Sequence, residues 1–285
     1  MNKLLAFVIL IMCCSCSTSY KMKRGSVNPS DFHETITVSS AKGIMLVPCE
    51  YEGEVENYYF DTGAQLTDIQ RTELKGERVS VRGASNRTKE SGTEVLKSFK
   101  IGKVEFKNTF ATNTDAKGLK EQIPNYGGTL GRPIIDKANW LIDLRNNTLT
   151  ISYIELSDNT YADIDLVISD IGAPHTMINI DGKSYRAIID LGSTAMLNVP
   201  DDSELATYLL NQYDFKDHQR DRHTVGGLQR VTEKKGVLNL LKLGDNEFND
   251  VDVSINKSSQ IRVGMNLFKE KIIYIDNLNK KYRIK

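Results

Sequence analysis

The feature that most constrains the fold is an internal repeat, because four landmarks occur in the same order in both halves of the chain. The first is an apolar segment ending in Asp-x-Gly, eight residues after an earlier glycine in each half. The others are a glycine after a hairpin-like stretch, a Gly followed shortly by Phe, and a glycine that closes an apolar run. The matched residues are Asp61 and Asp190, Gly83 and Gly226-Gly227, Gly102 and Gly244, and Gly131 and Gly264.

The last landmark keeps its register without gaps. Gly131 precedes Asp143 by 12 residues, and Gly264 precedes Asp276 by the same number. The halves differ in length between the earlier landmarks, where surface loops tolerate insertions. A long segment that occurs twice predicts two copies of one structural unit. Asp143 and Asp276 precede Asn-rich stretches, so we interpret them as turn residues rather than as a second acid pair.

Most segments of the two halves have the composition of strands. β-Branched, aromatic or alternating runs predict strands at 44–47, 58–60, 79–81, 177–180, 186–189, 251–255 and 271–275. One helix is predicted over 205–213, with Asp201-Asp202-Ser203 as its start. Gly127-Gly128 is predicted to lie in a turn, and Trp140 in the core. We expect a mainly β chain, with an N-terminal lobe over 32–157 and a C-terminal lobe over 158–285.

The N-terminus has the pattern of a secretory signal. Lys3 precedes an apolar run over 4–12, which is shorter than the roughly 20 residues that a membrane span needs. Cys13-Cys14-Ser15-Cys16 follows and resembles the lipobox of bacterial lipoproteins, in which a small residue precedes the cysteine that becomes lipidated. The resemblance implies a signal peptide over 1–15, lipidation at Cys16 (Cys14 is the weaker candidate) and a flexible tether over 16–31.

A lipidated Cys16 would make this a membrane-anchored lipoprotein of a Gram-negative cell envelope, at the outer membrane or on the periplasmic face. The alternative is a plain signal peptide with incidental cysteines, or a weak anchor that stays uncleaved. With the signal removed and Cys16 lipidated, Cys49 would be a lone thiol, which we expect to be a small buried hydrophobic residue.

Composition and charge exclude other classes of function. With 40% hydrophobic and 26% charged residues, the chain is globular rather than disordered. Its 37 basic and 37 acidic side chains cancel, so no net field would attract nucleic acid. The four histidines show no metal-ligand spacing, and we expect no metal and no cofactor.

The two Asp-x-Gly segments carry a family resemblance. The first half has Phe60-Asp61-Thr62-Gly63-Ala64, and the second has Ile189-Asp190-Leu191-Gly192-Ser193. Two lobes that each combine an apolar strand, Asp-x-Gly-small and a later apolar-Gly run resemble an aspartic peptidase, and the alanine is similar to retropepsin-like bacterial proteins. The resemblance covers nearly all of the chain after the signal. It implies a bilobal acid-protease-like fold with Asp61 and Asp190 as a catalytic dyad in the cleft between the lobes.

Matching aspartates also suit the chemistry of peptide hydrolysis. Glycine after each aspartate lets the chain turn tightly and presents the carboxylate at a loop tip. Two carboxylates within about 3 Å cannot both ionise and so share one proton, for which the aspartic-protease dyad is the standard example. The ionised member can take a proton from water as it attacks a peptide carbonyl, while the protonated member donates to the carbonyl oxygen. We therefore expect an aspartic endopeptidase (hydrolase).

Departures from the family pattern bear on activity. Six residues are expected to shape the dyad: Thr62, Gly63, Ala64, Leu191, Gly192 and Ser193. In this family a Thr or Ser after each aspartate bonds to the backbone of the other turn. Thr62 can form that bond but Leu191 cannot, a loss of about 1 kcal/mol. Ser193 is expected to bond the carboxylate of its turn, which Ala64 cannot do. With fewer hydrogen bonds to the ionised form, the pH optimum should lie nearer neutral than that of pepsin.

Two glycine-containing hairpin tips are candidate flaps, formed by Arg82-Gly83 and by Gly226-Gly227. The equally weighted alternative is that these glycines only close tight hairpins. Flaps would cover an extended peptide or unfolded protein substrate, paired as an added strand. We expect a monomer. A non-catalytic peptide-binding module with the same fold is the alternative function, and self-processing alone is a weaker one.

Overall fold

The computed structural model describes residues 21–82, 88–168, 173–224 and 227–285. These residues are mainly β, as the sequence predicted, and their helices are short. The elements of the first half are β1 (Ser26–Asn28), β2 (His33–Thr37), β3 (Ser39–Ala41), β4 (Ile44–Tyr51), β5 (Glu54–Phe60), β6 (Asp68–Gln70), β7 (Val79–Arg82), β8 (Thr88–Ile101), β9 (Val104–Thr114), α1 (Lys117–Lys120), β10 (Tyr126–Leu130), α2 (Arg132–Ile135), β11 (Asn139–Asp143) and β12 (Thr148–Ser152).

The second half follows after Ser152. Its elements are β13 (Ala162–Ile164), β14 (Val167–Ile168), β15 (Pro174–Ile180), β16 (Lys183–Asp190), β17 (Leu197–Pro200), α3 (Glu204–Gln212), β18 (Lys216–Thr224), β19 (Gly227–Leu243), β20 (Asn246–Asn256), β21 (Arg262–Gly264), a 3-10 helix (Met265–Phe268), β22 (Ile272–Asp276) and β23 (Lys281–Ile284).

Each half closes a sheet of six strands on itself. In the first barrel the order is β9-β6-β10-β5-β4-β8, and β8 pairs with β9 to complete the circuit. In the second barrel the order is β20-β17-β21-β16-β15-β19, and β19 pairs with both β20 and β15. The strand that ends in Asp-x-Gly lies parallel to the strand of the apolar-Gly landmark in both barrels. The repeat seen in the sequence is therefore also a repeat of strand order and direction.

A third sheet joins the two halves, in the order β13-β23-β22-β11-β12-β2. Its central strands β11 and β22 are antiparallel, with Leu141 opposite Tyr274 and Trp140 opposite Ile275. Leu141 and Tyr274 are separated by the same number of residues as Gly131 and Gly264. Equivalent residues thus face each other at the centre of this sheet, as an approximate twofold axis requires.

The core is continuous through both barrels and the joining sheet. Trp140 is fully buried, as predicted, and its ring lies 5.4 Å from that of Phe60 and 6.3 Å from that of Phe106. Its indole N–H donates to the carbonyl oxygen of Ile135 at 2.7 Å, which satisfies its one polar atom. Cys49 is also buried, as expected of a small hydrophobic residue.

Several local predictions are confirmed. The helix α3 begins after Ser203, whose hydroxyl accepts a hydrogen bond from the N–H of Ala206 at 3.1 Å. Asp143 and Asp276 each accept backbone N–H groups in the tight turns that follow them. These bonds explain why both halves keep an aspartate there, since the carboxylate holds the turn.

Two local predictions were wrong. Gly127-Gly128 lies in strand β10 rather than in a turn. A Cβ on Gly128 would meet the carbonyl oxygen of Asp68 at 2.0 Å, so close approach of β6 requires glycine. The expected tether is also ordered in part, because Ser26–Asn28 forms β1 and pairs with β9.

The predicted signal peptide and Cys16 lie outside the described residues. Within the ranges described, no helix combines the length and apolar character that a membrane span requires.

Candidate active site

The two Asp-x-Gly turns leave equivalent barrel strands. Asp61 follows β5, and its Oδ1 accepts the N–H groups of Gly63 at 2.8 Å and Ala64 at 3.0 Å. Asp190 ends β16; its carboxylate accepts the N–H of Gly192 at 3.1 Å, and its backbone carbonyl oxygen accepts the N–H of Ser193 at 2.9 Å. Both carboxylates are therefore held by backbone donors of their own turns, independently of the side chains that follow them.

The structure brings the two turns together face to face. The Asp61 and Asp190 carboxyl groups are hydrogen-bonded to each other. A Cβ on Gly63 would lie 2.7 Å from Cγ of Asp190, and a Cβ on Gly192 would lie 2.4 Å from Cγ of Asp61. Neither glycine has a left-handed φ. Glycine is needed here because the opposite aspartate approaches too closely for a side chain, and not because of the tight turn that we had expected.

Thr62 connects the turns through the bond predicted for it. Its fully buried hydroxyl donates to the carbonyl oxygen of Ile189 and accepts the N–H of Leu191, both at 2.9 Å. At the equivalent position Leu191 is buried in the hydrophobic core and has no polar group to return the bond. The cross-brace between the turns is therefore one-sided.

Electrostatics differ between the two aspartates. Burial, and then repulsion by Asp190, holds the pKa of Asp61 well above its usual range. Burial also raises the pKa of Asp190, but the Arg262 guanidinium and the hydrogen bond from Asp61 oppose that rise. The two carboxyl groups share one proton, and the Arg262 guanidinium, 3.4 Å from Asp190, favours the negative charge on Asp190. The Asp190 side chain keeps 14% of its surface exposed, so the pair can be reached from solvent.

Arg262 is a site residue that the sequence reasoning missed. It begins β21, which lies parallel to β16, and its Nε is 3.4 Å from Oδ2 of Asp190. Its counterpart before the apolar-Gly landmark of the first half is Thr129. The repeat contains the signal that could have revealed Arg262, namely a cation where the other copy has a neutral side chain.

The Ser193 hydroxyl has a different partner from the one predicted. It accepts a hydrogen bond from the Asn198 side chain at 3.0 Å, whereas we had expected it to bond the Asp190 carboxylate. Asn198 in turn accepts from Asn256 at 3.1 Å, and Asn256 donates to Ser254 at 3.0 Å. Ser254 donates to the buried Glu233 of β19 at 2.7 Å. A chain of hydrogen bonds therefore runs from the second turn to the hairpin β18–β19.

The first barrel has an equivalent cluster that does not reach its turn. Asp68 accepts from the hydroxyls of Thr112 and Thr114, both at 2.8 Å, and Thr114 is 2.6 Å from the hydroxyl of Ser91. Ala64 has no hydroxyl to join this cluster to the dyad. Burial raises the pKa of Asp68 to about 6, because the bonds from Thr112 and Thr114 only partly offset the loss of water.

The candidate flaps are described in part. Arg82 ends β7 and Gly227 begins β19, whereas Gly83 and Gly226 lie outside the described residues. The hairpin β18–β19 of the second half contacts α1 of the first half. One candidate flap therefore extends from one half to the other.

No known family model matches this chain, and no curated protein sequence matches it either.

Proposed function

We propose that the protein is an aspartic endopeptidase with a bilobal acid-protease-like fold, and that Asp61 and Asp190 are its catalytic dyad. The observation that carries the proposal is the meeting of two equivalent Asp-x-Gly turns, in which each glycine lies against the carboxyl group of the opposite aspartate. Twofold-related halves that each contribute one aspartate explain why the chain repeats its strand order. The cleft between the barrels would then be the substrate site.

The charge distribution assigns a role to each aspartate. Asp190, ionised and next to Arg262, takes a proton from a water molecule as the oxygen of that water attacks the peptide carbonyl carbon. Asp61 donates its proton to the carbonyl oxygen, giving a neutral tetrahedral intermediate. Collapse of that intermediate breaks the C–N bond: Asp190 gives the proton that it took from water to the leaving amine nitrogen, and Asp61 takes back a proton from a hydroxyl group of the intermediate as the carbonyl re-forms. Thr62 acts as a positioning residue, since it ties both turns together without touching the reacting atoms.

The substrate we propose is an extended peptide or unfolded protein chain. It would lie between the hairpins β7–β8 and β18–β19 and pair with them through its main chain. The protein would be a monomer held by lipid at Cys16 in a bacterial cell envelope, at the outer membrane or periplasmic face. The apolar N-terminal run and Ser15-Cys16 support that location.

A non-catalytic peptide-binding module is the second candidate. Leu191 favours it, because a buried leucine removes half of the reciprocal bracing between the turns. Retention of both aspartates, each with its backbone donors, favours the enzyme.

Digestion of denatured proteins between pH 3 and pH 8 would test the proposal. Purified protein should produce cuts that Asp61→Asn and Asp190→Asn fail to produce, with losses of about 10³-fold or more. Asp202→Asn, at an exposed position on the surface, is the matched control and should cut as the wild type does. If the wild type cuts nothing that the two dyad variants fail to cut, the enzyme proposal is wrong. Peptide binding without any cutting would then support the binding module.

A further inference from the structure

Arg262 is a charged side chain at the dyad for which the reaction proposed above has no direct role. Parallel pairing of β16 and β21 places it opposite Ile188, two residues before Asp190. Its side chain is 16% exposed, and its Nε lies 3.4 Å from Oδ2 of Asp190. Arg262 therefore lies within one side-chain length of the position where a substrate carbonyl would meet the dyad.

The guanidinium retains most of its binding capacity. Among the residues that the structure describes, Asp190 is its ion-pair partner, through one contact longer than an ordinary hydrogen bond. A guanidinium has five N–H donors in a planar fork, which matches a carboxylate through two parallel bonds. The remaining donors suit a second carboxylate, supplied by a ligand.

The two equivalent positions beside the dyad, 262 and 129, differ in charge. The equivalent residue of the first half, Thr129, is neutral and 7% exposed, and its hydroxyl is 3.1 Å from that of Tyr126. In a peptide that crosses the dyad, the side chain on the second-barrel side of the reacting bond would face Arg262, and the side chain on the first-barrel side would face Thr129. Recognition of an acidic residue would therefore depend on its position.

We propose that Arg262 is a specificity-determining residue, which binds the carboxylate of an aspartate or glutamate at one of the two substrate positions that flank the dyad. The inference rests on the proposed peptide-binding cleft. The substrates would be acidic peptides that bind with the acidic side chain on the side of the second barrel. Fork-shaped pairing in a partly desolvated site favours a carboxylate over the amide of the same shape.

The test uses two fluorescent pools of random decapeptides that are identical except for one central residue, Glu or Gln. Binding is measured by fluorescence polarisation on the Asp61→Asn protein, so that turnover does not interfere. At pH 7 the Glu pool should bind about 10-fold more tightly than the Gln pool. Adding Arg262→Thr, which introduces the residue found at the equivalent position 129, should bring the ratio of the Glu-pool affinity to the Gln-pool affinity close to 1. Arg262→Lys should give an intermediate ratio.

The same pools incubated with wild-type protein separate the two proposals. Mass spectrometry of the products should show that the wild type cuts with Glu preferentially on one side of the cleaved bond. Arg262→Thr should show no preference for either side. Equal binding of both pools, or a Glu preference that survives Arg262→Thr, would overturn the role of Arg262 whether or not cutting occurs. An Arg262-dependent Glu preference without any cutting would support the role of Arg262 and contradict the endopeptidase.

Discussion

The turns at 61–64 and 190–193 have equivalent backbones but different side chains. In both, backbone N–H groups hold the carboxylate and a glycine lies against the opposite aspartate. Among the residues that the structure describes, only the first turn has a hydroxyl that bonds to the other turn, and only the second has a cation next to its carboxylate. Close approach of the two carboxyl groups therefore depends on the backbone of the turns and on the glycines. The side chains decide which carboxyl is charged and what holds the turns together.

The same contrast continues one layer below the turns. Asp68 and Asn198 occupy equivalent positions on β6 and β17, but one is a buried acid and the other an amide. Asn198 links the second turn to Glu233 and the hairpin β18–β19, whereas the Asp68 cluster reaches Ser91 of the hairpin β7–β8 but not the first turn. The second half therefore connects its turn to a candidate flap, and the first half does not.

The largest expected effect on stability comes from removing the Thr62 hydroxyl, which braces the two turns. Thr62→Val keeps the shape but leaves the buried carbonyl of Ile189 and N–H of Leu191 without partners, which should lower the free energy of unfolding by about 4 kcal/mol. Thr62→Ser, which keeps the hydroxyl, should lose about 1 kcal/mol. Urea denaturation measures both. A Thr62→Val protein as stable as Thr62→Ser would show that the brace does not hold the turns.

Asp68→Asn gives the first barrel the amide that Asn198 provides at the equivalent position of the second barrel. The raised pKa means that folded protein binds a proton that unfolded protein has lost, so wild-type stability falls as pH rises from about 4 through 6. The amide does not titrate. We expect the variant to be more stable than the wild type by about 2 kcal/mol at pH 8 and similar to it below pH 4. If the free energies of unfolding of the variant and the wild type differed by the same amount at all pH values, this expectation would be contradicted.

Neutralising each aspartate of the pair should have unequal effects on stability at pH 7. Asp61→Asn mimics the protonated acid and removes the cost of keeping it protonated when buried, so we expect a gain of about 1–2 kcal/mol. That gain should disappear below about pH 4, because unfolded aspartate is then protonated too. Asp190→Asn should gain less, because it also leaves Arg262 without its partner. Equal effects of the two variants on thermal unfolding would mean that the charge is not on Asp190.

The smallest expected effect comes from rebuilding the missing brace. Leu191→Thr and Leu191→Val remove similar volumes from the core, so both should be destabilised relative to the wild type. They differ by a hydroxyl that could bond to the first turn, as Thr62 does to the second. We expect Leu191→Thr to be more stable than Leu191→Val by about 1 kcal/mol in urea denaturation. A less stable Leu191→Thr would show that the turns cannot accept a second brace.

The repeat made much of the site predictable. Matching positions of Asp61 and Asp190 implied that they meet, and the missing hydroxyl of Leu191 was visible in the chain. Arg262 was not predicted, because its contact depends on parallel pairing between β16 and β21, strands that are distant in sequence. The Ser193 partner was also missed, since Asn198 is brought to it only by closure of the second barrel. The local sequence pattern thus predicted the two turns, whereas pairing between distant strands determines which side chains lie next to them.

The most direct test of the central claim is a double-mutant cycle on cleavage. The values of kcat/KM for wild type, Asp61→Asn, Asp190→Asn and the double variant would be measured on one peptide that the wild type cuts. If the two turns form a single dyad, each single variant should lose about 10³-fold or more, and the double variant should lose no more than either. A single variant that keeps wild-type activity, or losses that multiply in the double variant, would contradict the account.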